Sequence, residues 1–168
     1  GHGFITNKIA KILCKKSKFL ALNAQSNASN VGYHSVQKYK NVNCVVMNES
    51  ELRQELRDRN KKIFLLAKKL VDMINIDNLL ITKGAEGALM YNKKTRKFHI
   101  SPAFASKVVD KVGAGDSMLS MFALTLKEKF DSDISMFISS LAAAINVEEV
   151  SNKTPINKIK LLKYLYHS

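Results

Sequence analysis

A Gly-Ala-Gly-Asp turn constrains the fold of this chain more than any other stretch. Before it, Val108 and Val109 are β-branched and favour the end of a strand, whereas residues 118–130 after it are mostly apolar and favour a buried helix. Gly113 and Gly115 allow backbone conformations that a Cβ atom would hinder. The sequence therefore predicts a strand, a glycine turn and a helix start, a combination typical of α/β proteins.

The same turn predicts an anion site. The N–H groups of residues 113–116 have no acceptor within the helix that follows, and the helix dipole adds positive charge there. A phosphate oxygen can be held by such a nest without any lysine. Asp116 would lie beside that phosphate, where a carboxylate can accept the proton of an attacking hydroxyl. The alternative for Asp116 is a plain acid that balances the helix dipole.

Other glycine motifs do not fit, because a dinucleotide fingerprint requires glycine where Met118 stands and no P-loop pattern occurs. At this turn the chain resembles the ribokinase-like carbohydrate kinases (PfkB family), whose second signature reads Asp-Thr-x-Gly-Ala-Gly-Asp, then a small residue and usually Phe. Lys111 replaces the usual Thr, and Met118 the usual Phe. The resemblance implies that Asp116 is the catalytic base and that the glycine turn holds the transferring phosphoryl group. The matching residues are Asp110, Gly113, Ala114, Gly115, Asp116 and Ser117.

A second motif, Asn-x-x-Glu, follows the apolar strand predicted at residues 42–47. Asn48 and Glu51 have the spacing of a helix capping box, in which each side chain accepts the other residue's backbone N–H. The kinase family carries the same motif at this place. The resemblance implies that Asn48 contacts nucleotide phosphates and that Glu51 belongs to the shell of Mg²⁺, through water. Both roles are compatible with the cap.

A third motif lies in a predicted hairpin between residues 79–82 and 88–91. Turn residues between two apolar runs are typical of an ordinary hairpin. In the kinase family, however, a Thr-x-Gly-x-x-Gly turn here covers the phosphates and ribose of the nucleotide. Thr82, Gly84 and Gly87 match it residue by residue.

Composition narrows the class of protein. The chain has 168 residues, of which 46% are hydrophobic and 24% charged, so one globular core is expected. No apolar run reaches the roughly 18 residues of a membrane span, so no membrane partner is expected. Cys14 and Cys44 form no C-x-x-C pair, which favours a reducing cytoplasm over disulfides or zinc. The net charge of +13 favours anionic partners, but the lysines are spread along the chain without an aromatic motif, so nucleic acid is not the expected partner.

The remaining pattern predicts the order of elements. In the kinase family an alanine-rich stretch at this place lies beside the adenine of the nucleotide. In this chain we expect the Ala-rich residues 141–144 to serve close helix packing instead. The first helix should place Ile9, Ile12 and Leu13 on its core face. The fold class expected is α/β, a three-layer α/β/α ribokinase-like sandwich with a mainly parallel sheet, of which the chain is only the C-terminal part. Predicted helices lie near residues 6–16, 50–59, 61–75, 118–130, 134–147 and 153–168, and predicted strands near 19–22, 42–47, 79–82, 88–91 and 98–100.

The resemblance implies a function. Residues 1–168 are expected to form the C-terminal nucleotide-binding and catalytic half of a kinase that uses ATP and Mg²⁺ to phosphorylate a sugar or sugar phosphate. The spacing and a His2-Gly3 loop favour the heptose-phosphate kinase-like branch. Alone, the chain is expected to be nearly inactive and to self-associate through uncovered apolar surface. The alternative is a noncatalytic basic module that binds nucleotide or nucleic acid, against which the intact Asp116 argues.

Overall fold

A computed structural model describes residues 5–23, 35–105, 112–148 and 157–167. Several residues used in the sequence predictions lie outside these ranges, namely His2, Gly3, Val108, Val109, Asp110 and Lys111. The chain divides into two compact units. Unit 1 comprises Gly1–Thr82 and Met90–Phe98, and unit 2 comprises Lys83–Leu89 and His99–Ser168.

The described elements alternate in the manner of an α/β protein. The helices are α1 (Asn7–Lys16), α2 (Glu49–Leu56), α3 (Ile63–Ile74), α4 (Ala114–Lys127), α5 (Ser132–Val147) and α6 (Lys158–His167). The strands are β1 (Ala21–Asn23), β2 (Val42–Asn48), β3 (Ile76–Thr82), β4 (Ala88–Asn92) and β5 (Lys97–Ser101). Among the described residues, no helix has the length and apolar character needed to cross a membrane.

The strands form one sheet in the order β1-β2-β3-β4-β5. β1 pairs with β2, and β2 with β3, in parallel. The step from β3 to β4 is a hairpin, because Lys83 N donates to Gly87 O (2.8 Å) and, further from the turn on both strands, Lys93 N donates to Asp77 O (2.9 Å). The prediction of a mainly parallel sheet that ends in a hairpin is therefore confirmed.

The core of unit 1 is built on β2 and β3. Residues 44–47 of β2 and residues 79–81 of β3 are buried without alternation, as expected for parallel strands covered on both faces. Helix α3 buries Leu66, Leu70 and Ile74 on one face, as the 3.6-residue period of an amphipathic helix requires. Two predicted ligand residues, Asn48 and Thr82, are the last residues of these two strands.

The first helix departs from its predicted core face. Thr6 caps α1, and its hydroxyl accepts the backbone N–H of Ile9 at 3.4 Å. Ile9 and Ile12, however, are 41% and 47% exposed, and Ala10 is the buried residue of the helix. The predicted core face was wrong. The apolar pattern shows that the helix is amphipathic, but it does not decide which residue packs against the rest of the protein, and that residue is the small Ala10. The predicted strand at residues 19–22 is also shifted, since β1 is Ala21–Asn23.

The core of unit 2 is a stack of helices. α4 packs on α5, and α5 packs on α6. α4 buries Met118 and Phe122, while α5 buries a row of small residues that includes Ser135, Ser139 and Ala142. The close packing predicted for the Ala-rich part of α5 agrees with the full burial of Leu141 and Ala142 and with the near burial of Ala144, whereas Ala143 is partly exposed.

Candidate functional site

In unit 1 the predicted capping box is confirmed. Asn48 Oδ1 accepts the backbone N–H of Glu51 at 2.8 Å, and Glu51 Oε2 accepts the backbone N–H of Asn48 at 2.7 Å. Asn48 is exposed and Glu51 half-buried, so both side chains lie at the surface at the start of α2. The box satisfies backbone donors at the helix start and fixes the direction of both side chains.

The same end of the sheet carries Thr82. In the parallel pairing of β2 with β3, Asn48 is the register partner of Thr82, and Met47 of Ile81. The two residues are therefore the last on neighbouring strands, at the carboxyl end of a parallel sheet where α/β proteins bind ligands. The structure thus brings together three predicted site residues within unit 1, Asn48, Glu51 and Thr82.

Glu51 fits a magnesium shell in its chemistry. Mg²⁺ prefers oxygen ligands, keeps several waters and is usually held by one or two carboxylates together with substrate phosphates. Glu51 supplies such a carboxylate next to the exposed amide of Asn48, and one of its oxygens accepts the cap N–H. Across the described ranges, no group of three or more His, Cys, Asp or Glu side chains is placed to hold a metal ion.

The predicted glycine turn after β3 lies in unit 2. Its centre is a 3₁₀ turn, Gly84–Glu86, closed by a hydrogen bond from Gly87 N to Gly84 O at 3.0 Å. Gly87 has φ +86° and ψ −132°, a conformation open essentially to glycine alone. A Cβ atom at Gly87 would lie 2.1 Å from Ser101 O, so the turn touches the end of β5 through bare backbone.

The central turn opens α4, also in unit 2. Gly113 is the N-cap with φ +83°, and the first hydrogen bond of the helix runs from Ser117 N to Gly113 O at 2.9 Å. The N–H groups of Ala114 and Gly115 therefore precede the first intrahelical bond, as an anion nest requires. Asp116 is exposed in the first turn. The helix begins at Ala114 rather than near Met118, so the glycine turn is itself the first turn of the helix.

Unit 2 also contains a cavity that the sequence did not reveal. Its volume is about 230 Å³, and its walls come from the end of β5 and the first half of α5. Phe104 and Phe137 meet edge to face across this region, with ring centroids 5.3 Å apart. Ser140, one turn further along α5, has a buried hydroxyl for which the described structure shows no hydrogen-bond partner. The lining residues are His99, Ile100, Ser101, Pro102, Phe104, Asp133, Met136 and Phe137.

Comparison with known proteins agrees with the motifs. The family model described as pfkB family carbohydrate kinase matches residues 6–159. The bifunctional protein HldE of Desulfatibacillum aliphaticivorans is 27% identical over 158 residues, which is 92% of this chain and 31% of that protein.

Solved structures share the fold. A ribokinase of Thermotoga maritima superimposes with a TM-score of 0.77 at 20% identity, covering 95% of this chain and 53% of that one. An Arabidopsis thaliana ribokinase complexed with ribose and ATP gives 0.75 at 18% identity, covering 96% and 52%. The ribokinase-like α/β fold predicted from the sequence is confirmed. The chain spans about half the length of these structures and about a third of that of the curated relatives it matches. With a family model matched over most of its length and all three motifs present, the chain belongs to the pfkB family of carbohydrate kinases.

Proposed function

We propose that the chain is the nucleotide-binding and catalytic half of a kinase that transfers the γ-phosphoryl group of ATP to a hydroxyl of a sugar or sugar phosphate. The observation that carries this proposal is the start of α4, where Asp116 lies in the first turn of a helix that Gly113 opens in the left-handed conformation. A site that only binds phosphate would not benefit from a negatively charged side chain next to the bound phosphate.

The proposed step uses this turn in two ways. Asp116 accepts the proton of the sugar hydroxyl while the hydroxyl oxygen bonds to the γ-phosphorus and the bond to the leaving oxygen of ADP breaks. The N–H groups of Ala114 and Gly115 stabilise the charge that develops on the phosphoryl oxygens. In a loose transition state little deprotonation precedes bond formation, so a carboxylate is an adequate base.

In unit 1 we assign the nucleotide's phosphates to Asn48 and Thr82 and the Mg²⁺ shell to Glu51, through water. Mg²⁺, when bound, would neutralise charge on the phosphates. Support comes from the register pairing of Asn48 with Thr82 and from the capping box, which holds the Glu51 carboxylate beside the Asn48 amide.

In unit 2 we assign the nucleotide's ribose and phosphates to the turn of Gly84 and Gly87, because a backbone without side chains permits close approach. We assign the base to the cavity at β5 and α5. Its volume of about 230 Å³ is below the roughly 300 Å³ of pockets for whole drug-sized ligands, so it suits a ring system alone. Phe104 and Phe137 supply apolar walls for such a ring.

The test compares Asp116→Asn with Glu128→Gln, which removes the same charge from an exposed position at the other end of α4. Both variants are made in the longer kinase of which we propose this chain to be a half. We expect Asp116→Asn to lower turnover about 10²- to 10⁴-fold while the Kd for Mg-ATP stays within about twofold. Glu128→Gln should leave both quantities unchanged. Normal turnover in Asp116→Asn would show that this residue is not the base.

A further inference from the structure

The turn after β3 contains an ion pair of its own. Lys83 Nζ donates to Glu86 Oε2, and the backbone joins the same two residues, because Glu86 N donates to Lys83 O at 3.3 Å. Lys83 N donates to Gly87 O at 2.8 Å, which closes the turn. The ammonium group and the carboxylate therefore belong to the segment of unit 2 that we assigned to the ribose and phosphates of the nucleotide.

The two members of this pair differ in exposure. The side chain of Lys83 is 26% exposed, whereas that of Glu86 is 73% exposed. An ion pair with so exposed a partner is weak, because water screens the attraction. Next to Lys83 along the chain, a Cβ atom at Gly84 would meet nothing within 4 Å. The turn thus has room for a ligand at Gly84, and Lys83 can exchange Glu86 for a stronger anion without repacking of the core.

The other described lysines of unit 2 belong to other segments. Two of them lie at the C-terminal end of α4, at the far end of a 14-residue helix from its N-cap Gly113, and the rest lie on α6. Among the described residues of unit 2, Lys83 is therefore the cation that belongs to a segment assigned to the nucleotide. The lysines on the two helices are Lys127, Lys129, Lys158, Lys160 and Lys163.

We propose that Lys83 is a phosphate-binding residue that exchanges its partner. In the free protein it is paired with Glu86, and when the nucleotide binds, its ammonium group turns to a phosphate oxygen. This inference rests on the proposed function, which assigns the nucleotide's phosphates to this turn. A nucleoside triphosphate carries several negative charges, so it competes well with the single charge of Glu86. The flexible stem of a lysine permits the movement, and the Glu86 carboxylate is already largely hydrated.

The alternative role for Lys83 is to neutralise Glu86, whose charge would otherwise repel the phosphates. In that case the lysine is needed only while the glutamate is present. A double substitution distinguishes the two roles, because it removes the repelling carboxylate and the cation together.

The test measures Mg-ATP binding to the purified chain by titration calorimetry. The variants are Lys83→Gln, Lys83→Arg, Glu86→Gln and the double variant Lys83→Gln/Glu86→Gln. The matched control is Lys61→Gln, because Lys61 forms another ion pair between residues three apart, with Asp58 at 3.1 Å, in unit 1. Circular dichroism and thermal unfolding verify that each variant is folded.

We expect Lys83→Gln to raise the Kd for Mg-ATP about tenfold or more, because a hydrogen bond between charged groups is lost. Lys83→Arg should keep the Kd within about threefold, since a guanidinium also binds phosphate. Glu86→Gln should lower the Kd by up to about fivefold, because the ammonium group no longer has to leave a carboxylate. The double variant should bind about tenfold more weakly than Glu86→Gln. Lys61→Gln should change the Kd by less than about twofold.

Three results would overturn this inference alone: an unchanged Kd in Lys83→Gln, an equal loss of affinity in Lys61→Gln, or equal affinities of the double variant and Glu86→Gln. The last of these would limit Lys83 to neutralising Glu86. Absence of Mg-ATP binding by the unsubstituted chain would instead overturn the proposed function, and this inference with it.

Discussion

Asn48 and Thr82 are register partners at the carboxyl ends of β2 and β3, although the whole of α2 and α3 separates them in the chain. Asn48 is also the N-cap of α2, so one residue ends a strand, caps the next helix and lies opposite the last residue of the neighbouring strand. Its orientation is fixed by the capping box before any ligand arrives. A phosphate contact through its amide would therefore require no reorganisation of the protein.

Two substitutions of Asn48 can distinguish its role as a helix cap from its proposed contact with phosphate. Asn48→Ala removes the cap acceptor and should lower the free energy of unfolding by about 1 kcal/mol. Asn48→Asp keeps an equally good cap but places a negative charge at the proposed phosphate site. We expect Asn48→Asp to retain wild-type stability in urea unfolding and to weaken Mg-ATP binding, measured by calorimetry, at least tenfold. Unchanged ATP binding in Asn48→Asp would restrict Asn48 to a structural role.

Gly84 and Gly87 form a matched pair for a stability test. Both have positive φ, +61° and +86°, but a Cβ atom at Gly84 meets nothing within 4 Å, whereas one at Gly87 would lie 2.1 Å from Ser101 O. Gly84→Ala should cost only the left-handed strain, about 1 kcal/mol. Gly87→Ala should cost at least about 2 kcal/mol more, because backbone atoms must shift. Equal losses in thermal unfolding would show that the contact with Ser101 is easily relaxed.

The features that the sequence predicted well are those encoded within a few residues. The capping box of Asn48 and Glu51 depends on a spacing of three, and the hairpin glycines on their own backbone angles. The exposed side of α1 and the cavity at α5 depend instead on which distant segment packs there. Phe104, which follows β5, meets Phe137 of α5 only because the fold of unit 2 brings these two segments together, and no local pattern marks that contact.

The contact between Phe64 and Phe98 illustrates the same limit. Phe64 lies on α3 and Phe98 on β5, and the two residues share no motif in the sequence. Periodicity assigns each residue to a face of its own helix or strand. It does not say which faces of separate elements become neighbours.

Because of Cys44, the free energy of unfolding should decrease as the pH becomes alkaline. Burial, with a smaller contribution from Asp77, raises the pKa of the Cys44 thiol from 9.0 to about 12. The folded chain therefore holds the thiol proton that the unfolded chain loses above pH 9, so this group's contribution is complete below pH 9 and is lost as the pH rises towards 12. The free energy of unfolding should fall by up to about 1.4 kcal/mol per pH unit from this group.

The matched variant for this prediction is Cys44→Val, which keeps an apolar side chain of similar size and cannot titrate. Both proteins are unfolded in urea between pH 9 and 11. The difference between their free energies of unfolding is free of the contributions of lysines and tyrosines, because both proteins contain the same ones. We expect the wild type to lose stability more steeply with pH than the variant. Parallel curves would contradict a protonated Cys44 in the folded state over this range.

The purified chain alone should bind Mg-ATP but transfer its phosphate very slowly. It spans about half the length of the solved structures it matches, and we propose that groups which orient the sugar lie in the other half. Orientation of reactants can supply roughly 7 to 11 kcal/mol at best, so its loss should abolish useful turnover. An assay with Mg-ATP and a panel of sugars and sugar phosphates tests this. Turnover above about 1 s⁻¹ on any of them would mean that the chain is catalytically sufficient.

The backbone contact between Gly87 and Ser101 also has a mechanical consequence. With no side chain between them, the turn after β3 and the segment at Ser101, Pro102 and Ala103 touch directly. A displacement of either segment pushes on the other with no flexible side chain to absorb it. Any closing movement over a bound nucleotide would carry both as one piece, and the residues that bend would have to lie on either side of this pair rather than within it.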